Sequence, residues 1–481
     1  MPLFKYKKLG FQCLSYALVV ALLVVAFYGL TRSIDPDLFA RLAVGQLIVE
    51  NGAVPTQDVF SFSPKKDIWI DHEWLSGVVF FLIQQVLGSN SLFLLNIAIA
   101  AVVMFLIFAQ LFDSSKRARW LIFFICLVET RYLWSSPIRS QAFTYLFSVI
   151  YLVLLARIYK TQKPERLWVL PVLMLPWVNL HGGFVVGLGL LALFSIGLFF
   201  EKKRAAGRLL ITTGLCLLVT AVNPYGLVEY WSYLIAAVTM DRPDVQEWNS
   251  LLSLDDRIIL PLTIMGFMLA GYLKRQQRKL LTARNLLLIG TFVYGLTHSR
   301  LIAIFIFTFC VFGIEYFDTG IEALPKKFRE LWVRACWSLR YPVLVAAVVL
   351  ALRFGFYSEA RTFVYSKYPV AAAQWLLSQR PAGGRLLVGF NWGSYCLWKM
   401  HPSFLVSIDG RYEELYTDRT YHLNKAAFGE ELGLALKSVK ELNPDYILVD
   451  RAASKRADFG DSWRGIFEDE QSAIFERVQK R

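Results

Sequence analysis

Charge is scarce in this chain: Asp, Glu, Lys and Arg make up 18% of 481 residues, against 56% apolar and 15% aromatic. That balance excludes an ordinary soluble protein of this length and points to a polytopic membrane protein. Paired cysteines are missing too. Cys13, Cys126, Cys216, Cys310, Cys336 and Cys396 show no CxxC spacing, and four of them fall in apolar runs where a thiol is a small filler, so neither an intrachain disulfide nor a zinc site is expected. There is no internal repeat and no low-complexity tract. The first apolar run, Leu14 to Leu30, follows Lys5, Lys7 and Lys8, but Tyr28-Gly29-Leu30-Thr31-Arg32 offers no small-residue cleavage site. It therefore reads as a retained transmembrane helix rather than a signal peptide.

Apolar runs at 12–30, 91–112, 120–136, 140–157, 167–181, 183–200, 208–223, 258–273, 285–298, 300–316 and 341–357 predict about eleven spans, several of them shorter than the roughly 20 residues a spanning helix needs. With the N-terminus placed in the cytoplasm, the inner segments carry 24 Lys and Arg and the outer loops nine. The net charge of +14 is thus mostly a positive-inside topology signal, not a surface for nucleic acid.

Beyond the first span the chain opens an outer loop, 31–90, with Asp35-Pro36-Asp37. Two carboxylates at that point anchor poorly in lipid but can reach its headgroups. Asp35 as N-cap, Pro36 at the first helical position and Gly52 as a stop predict a helix lying flat on the membrane. Residues 53–63 read as extended, and Trp74 to Gly88 as an interfacial or re-entrant helix. Further polar residues fall at the same outer face: Arg131 and Arg139, Asn179 and His181, Asn223-Pro224-Tyr225, His298 and Arg300. Each has a plainer reading, Asp35 as a cap, His181-Gly-Gly as a turn, Arg300 as an interfacial snorkel. Charges at the depth of Arg131 and Arg139 nonetheless need partners. On ligand types, Asp35, Asp37, Asp58, His72 and Glu73 would suit a divalent cation, Mg2+ or Mn2+.

From about Ser358 a soluble domain follows. Residues 385–390, 404–409 and 446–450 read as buried strands and 369–380 and 428–442 as helices, predicting a small α/β domain with a mostly parallel sheet. Asp409-Gly410-Arg411 follows a strand end and reads equally as a ligand site or as a tight turn with an Arg–acid pair.

Taken in order, Asp35-Pro-Asp37-Leu38, Pro55-x-x-Asp58-x-Phe60-Ser61, Trp69-x-x-His72-x-Trp74-Leu75, Asn179-Leu-His181-Gly-Gly183 and Asn223-Pro-Tyr-Gly226 resemble the GT-C superfamily of integral membrane glycosyltransferases. That superfamily includes protein O-mannosyltransferases, aminoarabinose transferases and oligosaccharyltransferase catalytic subunits. The resemblance implies a transmembrane domain over 1–357 and an extracytoplasmic domain over 358–481, in a bacterial inner membrane with the N-terminus cytoplasmic. It implies inverting transfer of a sugar from a polyprenyl-phosphate donor to a protein, lipid or glycan acceptor on the periplasmic side. Asp35 or Asp37 would be the base; the family's acidic pair is usually consecutive, whereas here a proline intervenes. Arg131, Arg139, His181 and Arg300 would hold the donor phosphate, because cations must meet the charge on the departing group. Asp58, His72, Glu73 and His298 stand as further substrate or metal contacts. The competing expectation is a flippase, or a non-catalytic partner in export of lipid-linked envelope glycans. A transporter places ionisable groups near the bilayer midplane and often shows repeats, and this chain does neither.

Overall fold

The computed structural model describes residues 34–89, 91–112, 122–123, 125–126, 138–163, 166–239, 250, 252, 259–274, 280–322, 324–338, 367–429, 431–454 and 459–478. The spans expected at 12–30 and 341–357, most of 120–136, and the boundary expected at 358 lie outside these residues.

The stretch 34–89, expected as the first outer loop, contributes two helices, α1 (Pro36–Asn51) and α2 (Trp74–Leu87). Asp35 caps α1, its carboxylate accepting from the Asp37 N–H at 3.0 Å, and Gly52 closes the helix in the left-handed region at φ 66°. The cap is as the residues predict. Leu38 to Gly45 and Ile48 are all buried, so α1 is enclosed by protein on several sides. It crosses α2 where Gly45 meets Gly77, and a Cβ on either glycine would run into the other helix's backbone. On another side Phe39 stacks on Trp398 at 5.3 Å.

The apolar helices follow as α3 (Ser91–Phe112), α4 (Gln141–Thr161), α5 (Val169–Leu180), α6 (Phe184–Phe200), α7 (Ala206–Val219), α8 (Gly226–Thr239), α9 (Ile259–Lys274), α10 (Ala283–Thr297) and α11 (Ile302–Glu322), the last with a π turn at Phe309–Gly313. Among the described residues three helices are long and apolar enough to cross a membrane: Ser91–Leu111, Gln141–Thr161 and Ile302–Glu322. The chain is a multi-pass membrane protein. Helix α8 lies where a loop is predicted; Tyr230 and Tyr233 are buried while Val228 and Ile235 are exposed. This sidedness lets so short a helix pack along one face.

After α12 (Lys326–Ser338) and α13 (Val370–Gln379) comes a five-stranded sheet: β1 (Gly384–Val388), β2 (Phe404–Val406), β3 (Tyr446–Asp450), β4 (Trp463–Glu468) and β5 (Ser472–Arg477), in the order β2-β1-β3-β5-β4. The three predicted strands are there and pair in parallel, Leu386 sitting opposite Val406 on one side and Tyr446 on the other. The sheet is mixed rather than mostly parallel, because the β4–β5 hairpin adds an antiparallel edge to β3. In that hairpin β4 is largely open to solvent, so it carries little of the apolar run by which buried strands are read. The helices α14 (Phe390–Met400), α15 (Tyr412–Leu415), α16 (Asp418–Ala427) and α17 (Leu432–Leu442) complete this part. Residues 60–62 of the outer loop join its edge: Val406 N–H donates to Phe60 O and Phe62 N–H to Val406 O. One buried apolar cluster runs unbroken from the apolar helices through α1 to β1 and β2.

Candidate active site

Helix α1 enters the site through its capped end. Asp35 is 4% exposed, engaged both in the cap and in an ion pair with Arg139, which precedes α4. Asp37, two residues on, is exposed, and among the described residues no hydrogen bond reaches its carboxylate. Crowding by the surrounding protein raises its pKa well above the usual carboxylate range, and Asp35 and Glu73 raise it further against Arg139 and Arg41. Open to solvent at its tip, the carboxylate is walled elsewhere: a Cβ built on Gly410 would stand 2.6 Å from Asp37 Oδ1.

A second cluster adjoins the first. Arg41, on α1, pairs with Asp71, with Glu414 on α15 at 3.1 Å, and more distantly with Glu73 at 3.8 Å. Its side chain is 6% exposed, and those of Asp71 and Glu414 are 0% and 4%, so these three seal the rear. Trp69 Nε1 also donates to Glu414, and Tyr225, after α7, accepts the Asp71 N–H at 2.9 Å. In front lie His72, Glu73 and His181, with 16%, 18% and 13% of their side chains exposed. Glu73 Oε1 bridges the two imidazoles, 3.5 Å from His72 Nε2 and 3.3 Å from His181 Nε2. His181 Nδ1 accepts from Gly183 N–H and faces the Thr144 hydroxyl, both at 2.8 Å, which leaves Nε2–H as the proton turned to Glu73.

Burial dominates the electrostatics and the partners decide its outcome. Burial lifts Asp71 to about 6 despite Arg41 beside it, consistent with an Oδ2 that is buried and unpartnered. For Glu414 burial also acts upward, yet Arg41 and His72 outweigh it and hold the group at about 2. His72 is the mirror case. Burial disfavours its charge, but the hydrogen bond to Glu414 and the charges of Glu73 and Glu414 lift it to about 9.

The remaining predicted residues divide. Asp58 is drawn into a different arrangement: Arg411 Nη1 donates to it at 2.7 Å, Lys65 Nζ lies at 3.0 Å, and its carboxylate caps the Phe60 and Ser61 N–H groups. Burial works against its charge, but Arg411 and these donors keep it well below the usual carboxylate range. Asp409 completes that ion pair, so Asp409-Gly410-Arg411 is the tight turn with an Arg–acid pair. Asp58 therefore fastens the loop to the turn after β2. Among the described residues no three His, Cys, Asp or Glu converge on a metal position. His298 packs within its own turn, Nδ1 3.0 Å from Thr297 Oγ1 and its ring 6.0 Å from Tyr294. Arg131 and the Arg300 side chain lie outside the described residues. Arg41, Asp71 and Glu414 escape a sequence reading; the available sign was an arginine inside the apolar stretch of α1.

No family model matches the sequence, and no curated protein does. Solved structures do. The chain is similar to the apo oligosaccharyltransferase of Archaeoglobus fulgidus, with a TM-score of 0.60, 10% identity, and coverage of 91% of this chain and 69% of that one. It is similar to ArnT from Cupriavidus metallidurans bound to undecaprenyl phosphate, with a TM-score of 0.52, 14% identity, and coverage of 96% and 97%. The Archaeoglobus fulgidus oligosaccharyltransferase AglB in complex with an inhibitory peptide and a dolichol-phosphate gives a TM-score of 0.54 at 10% identity, covering 94% and 73%. Across nearly its whole length, then, the chain has a GT-C-like fold.

Proposed function

We propose that this protein transfers a sugar from a polyprenyl-phosphate donor to an acceptor on the outer face of the membrane, with Asp37 as general base. The reading places the first loop and the C-terminal domain in the periplasm of a bacterial inner membrane. The observation that carries it is the contrast between the two carboxylates. Asp35 is committed to the α1 cap and to Arg139, whereas Asp37 is open and has a raised pKa. A base works best with a pKa near the working pH. In the step proposed, Asp37 takes the hydroxyl proton as the acceptor oxygen bonds to the anomeric carbon. The bond from that carbon to the phosphate oxygen breaks with inversion, and the electron pair leaves with the polyprenyl phosphate. Arg139, whose charge also acts on Asp37, meets the charge that builds there. The similarity to folds solved with undecaprenyl phosphate and with dolichol-phosphate supports a lipid-phosphate donor.

The test uses purified protein in lipid nanodiscs with a panel of radiolabelled undecaprenyl-phosphate sugars and envelope extract as acceptor. Asp37→Asn is expected to lower transfer by about 100-fold or more, the usual contribution of a positioned base. Asp35→Asn keeps a capping side chain and loses only the charge toward Arg139, so its loss is expected to be smaller, about tenfold. Full transfer by Asp37→Asn would overturn the assignment. Absence of transfer by the wild-type protein from any donor would turn the reading toward an export role.

A further inference from the structure

The turn after β2 grips the outer loop at three successive places: Gly410 backs Asp37, Arg411 pairs with Asp58, and Glu414 receives Arg41, Trp69 and His72. The last contact is the one that reaches the front of the site. Glu414 Oε1 stands 2.9 Å from His72 Nδ1, with the Tyr233 hydroxyl from α8 3.0 Å from the same nitrogen. The ring's other nitrogen faces Glu73, which in turn faces His181. Among the described residues, the polar side chains aimed at Glu414 come from segments more than 340 residues earlier.

We propose that Glu414 is a positioning residue of the transfer site, holding His72, and through it Glu73 and His181, in the arrangement that faces the substrates. The coupling between Glu414 and His72 stands on geometry alone; its consequence for transfer rests on the function proposed above. His72 has Glu414 and Glu413 on α15, Glu73 and Asp71 beside it in the loop, Tyr233 on α8 and His181 at the start of α6 as its titratable neighbours. Glu414 and Glu73 are the two carboxylates among them that contact its nitrogens, and the Tyr233 hydroxyl shares Nδ1 with Glu414. With Glu414 ionised and held by Arg41 and Trp69, the ring cannot turn without losing its Nδ1 contact to that buried carboxylate.

The experiment compares full-length wild type with Glu414→Gln, which keeps the shape and removes the charge, and Glu414→Asp, which keeps the charge. In histidine-labelled protein the ring carbon signal of His72, assigned by its disappearance in His72→Gln, reports the midpoint directly and needs no substrate. Glu414→Gln is expected to lower that midpoint by at least about one pH unit, and Glu414→Asp to lower it less. An unchanged midpoint in Glu414→Gln overturns the coupling; if that variant does not fold, an Asp variant indistinguishable from wild type in both titration and transfer overturns it instead. In the transfer assay with undecaprenyl-phosphate sugars, the alkaline limb of the wild-type pH profile should move acidward in Glu414→Gln by the same amount. A loss that is equal at every pH would make Glu414 a stability residue and overturn its role in positioning. Failure of the wild type to transfer any sugar would count against the function proposed above, and the His72 titration would still decide the coupling.

Discussion

Replacing Arg41 by methionine removes the hub of the buried cluster and nothing else of its size. Three carboxylates lose their guanidinium: Asp71, Glu414 and, at longer range, Glu73. Asp71 and Glu414 are essentially sealed from water, so neither can exchange the lost partner for hydration. Breaking a buried pair in this way costs about 3–5 kcal/mol, which corresponds to a fall in melting temperature of about 5 °C or more. The pH dependence follows from Glu414. Its folded-state pKa is depressed to about 2, so the stability it contributes is present above its ordinary value of 4.5 and is lost as pH falls through 2. The gap between Arg41→Met and wild type should thus be full at neutral pH and narrow on acidification. Tryptophan fluorescence measures it across that pH range, because Trp69 and Trp177 are fully buried and become exposed on unfolding. Equal melting temperatures for the two proteins at pH 7 would refute the claim that Arg41 compensates these carboxylates.

Gly410→Ala places a methyl group 2.6 Å from Asp37 Oδ1, closer than any ordinary contact, so the carboxylate must shift. Misplacement of a reacting group by about 1 Å costs up to about 100-fold. Sugar transfer should fall by about 10- to 100-fold with an unchanged melting temperature, and retained transfer would show that the turn does not wall the base. His72 makes a prediction of opposite slope to Glu414. Its pKa is raised to about 9, so its contribution is complete below 6.5 and fades as pH rises through 9. Wild-type melting temperature should drop across that interval, and His72→Gln should flatten the drop; an unflattened curve would place the titration elsewhere.

What could be read along the chain was whatever neighbouring residues settle among themselves. The α1 cap is one example: Asp35, Pro36 and Gly52 each act within a turn of their own position, and the structure keeps all three roles. The parallel strands β1, β2 and β3 announced themselves as apolar runs because both of their faces are covered. The β4–β5 hairpin and α8 were missed because each is only partly covered and its sequence is correspondingly mixed. Candidate site residues were named by type and by side of the membrane, which brought Asp35, Asp37, Arg139, His72, Glu73 and His181 into view. The same reasoning also took in Asp58, whose charge is spent on Arg411.

Residue type and local spacing were enough for the membrane class and the ends of α1, since those depend on transfer from water and on hydrogen bonds a few residues long. That Glu414 stays ionised and His72 is charged depended on Glu414 meeting Arg41 and His72 across more than 340 residues. Such pairings leave no periodicity in the chain, because burial and Coulomb attraction act through space and only folding sets the distances on which they depend.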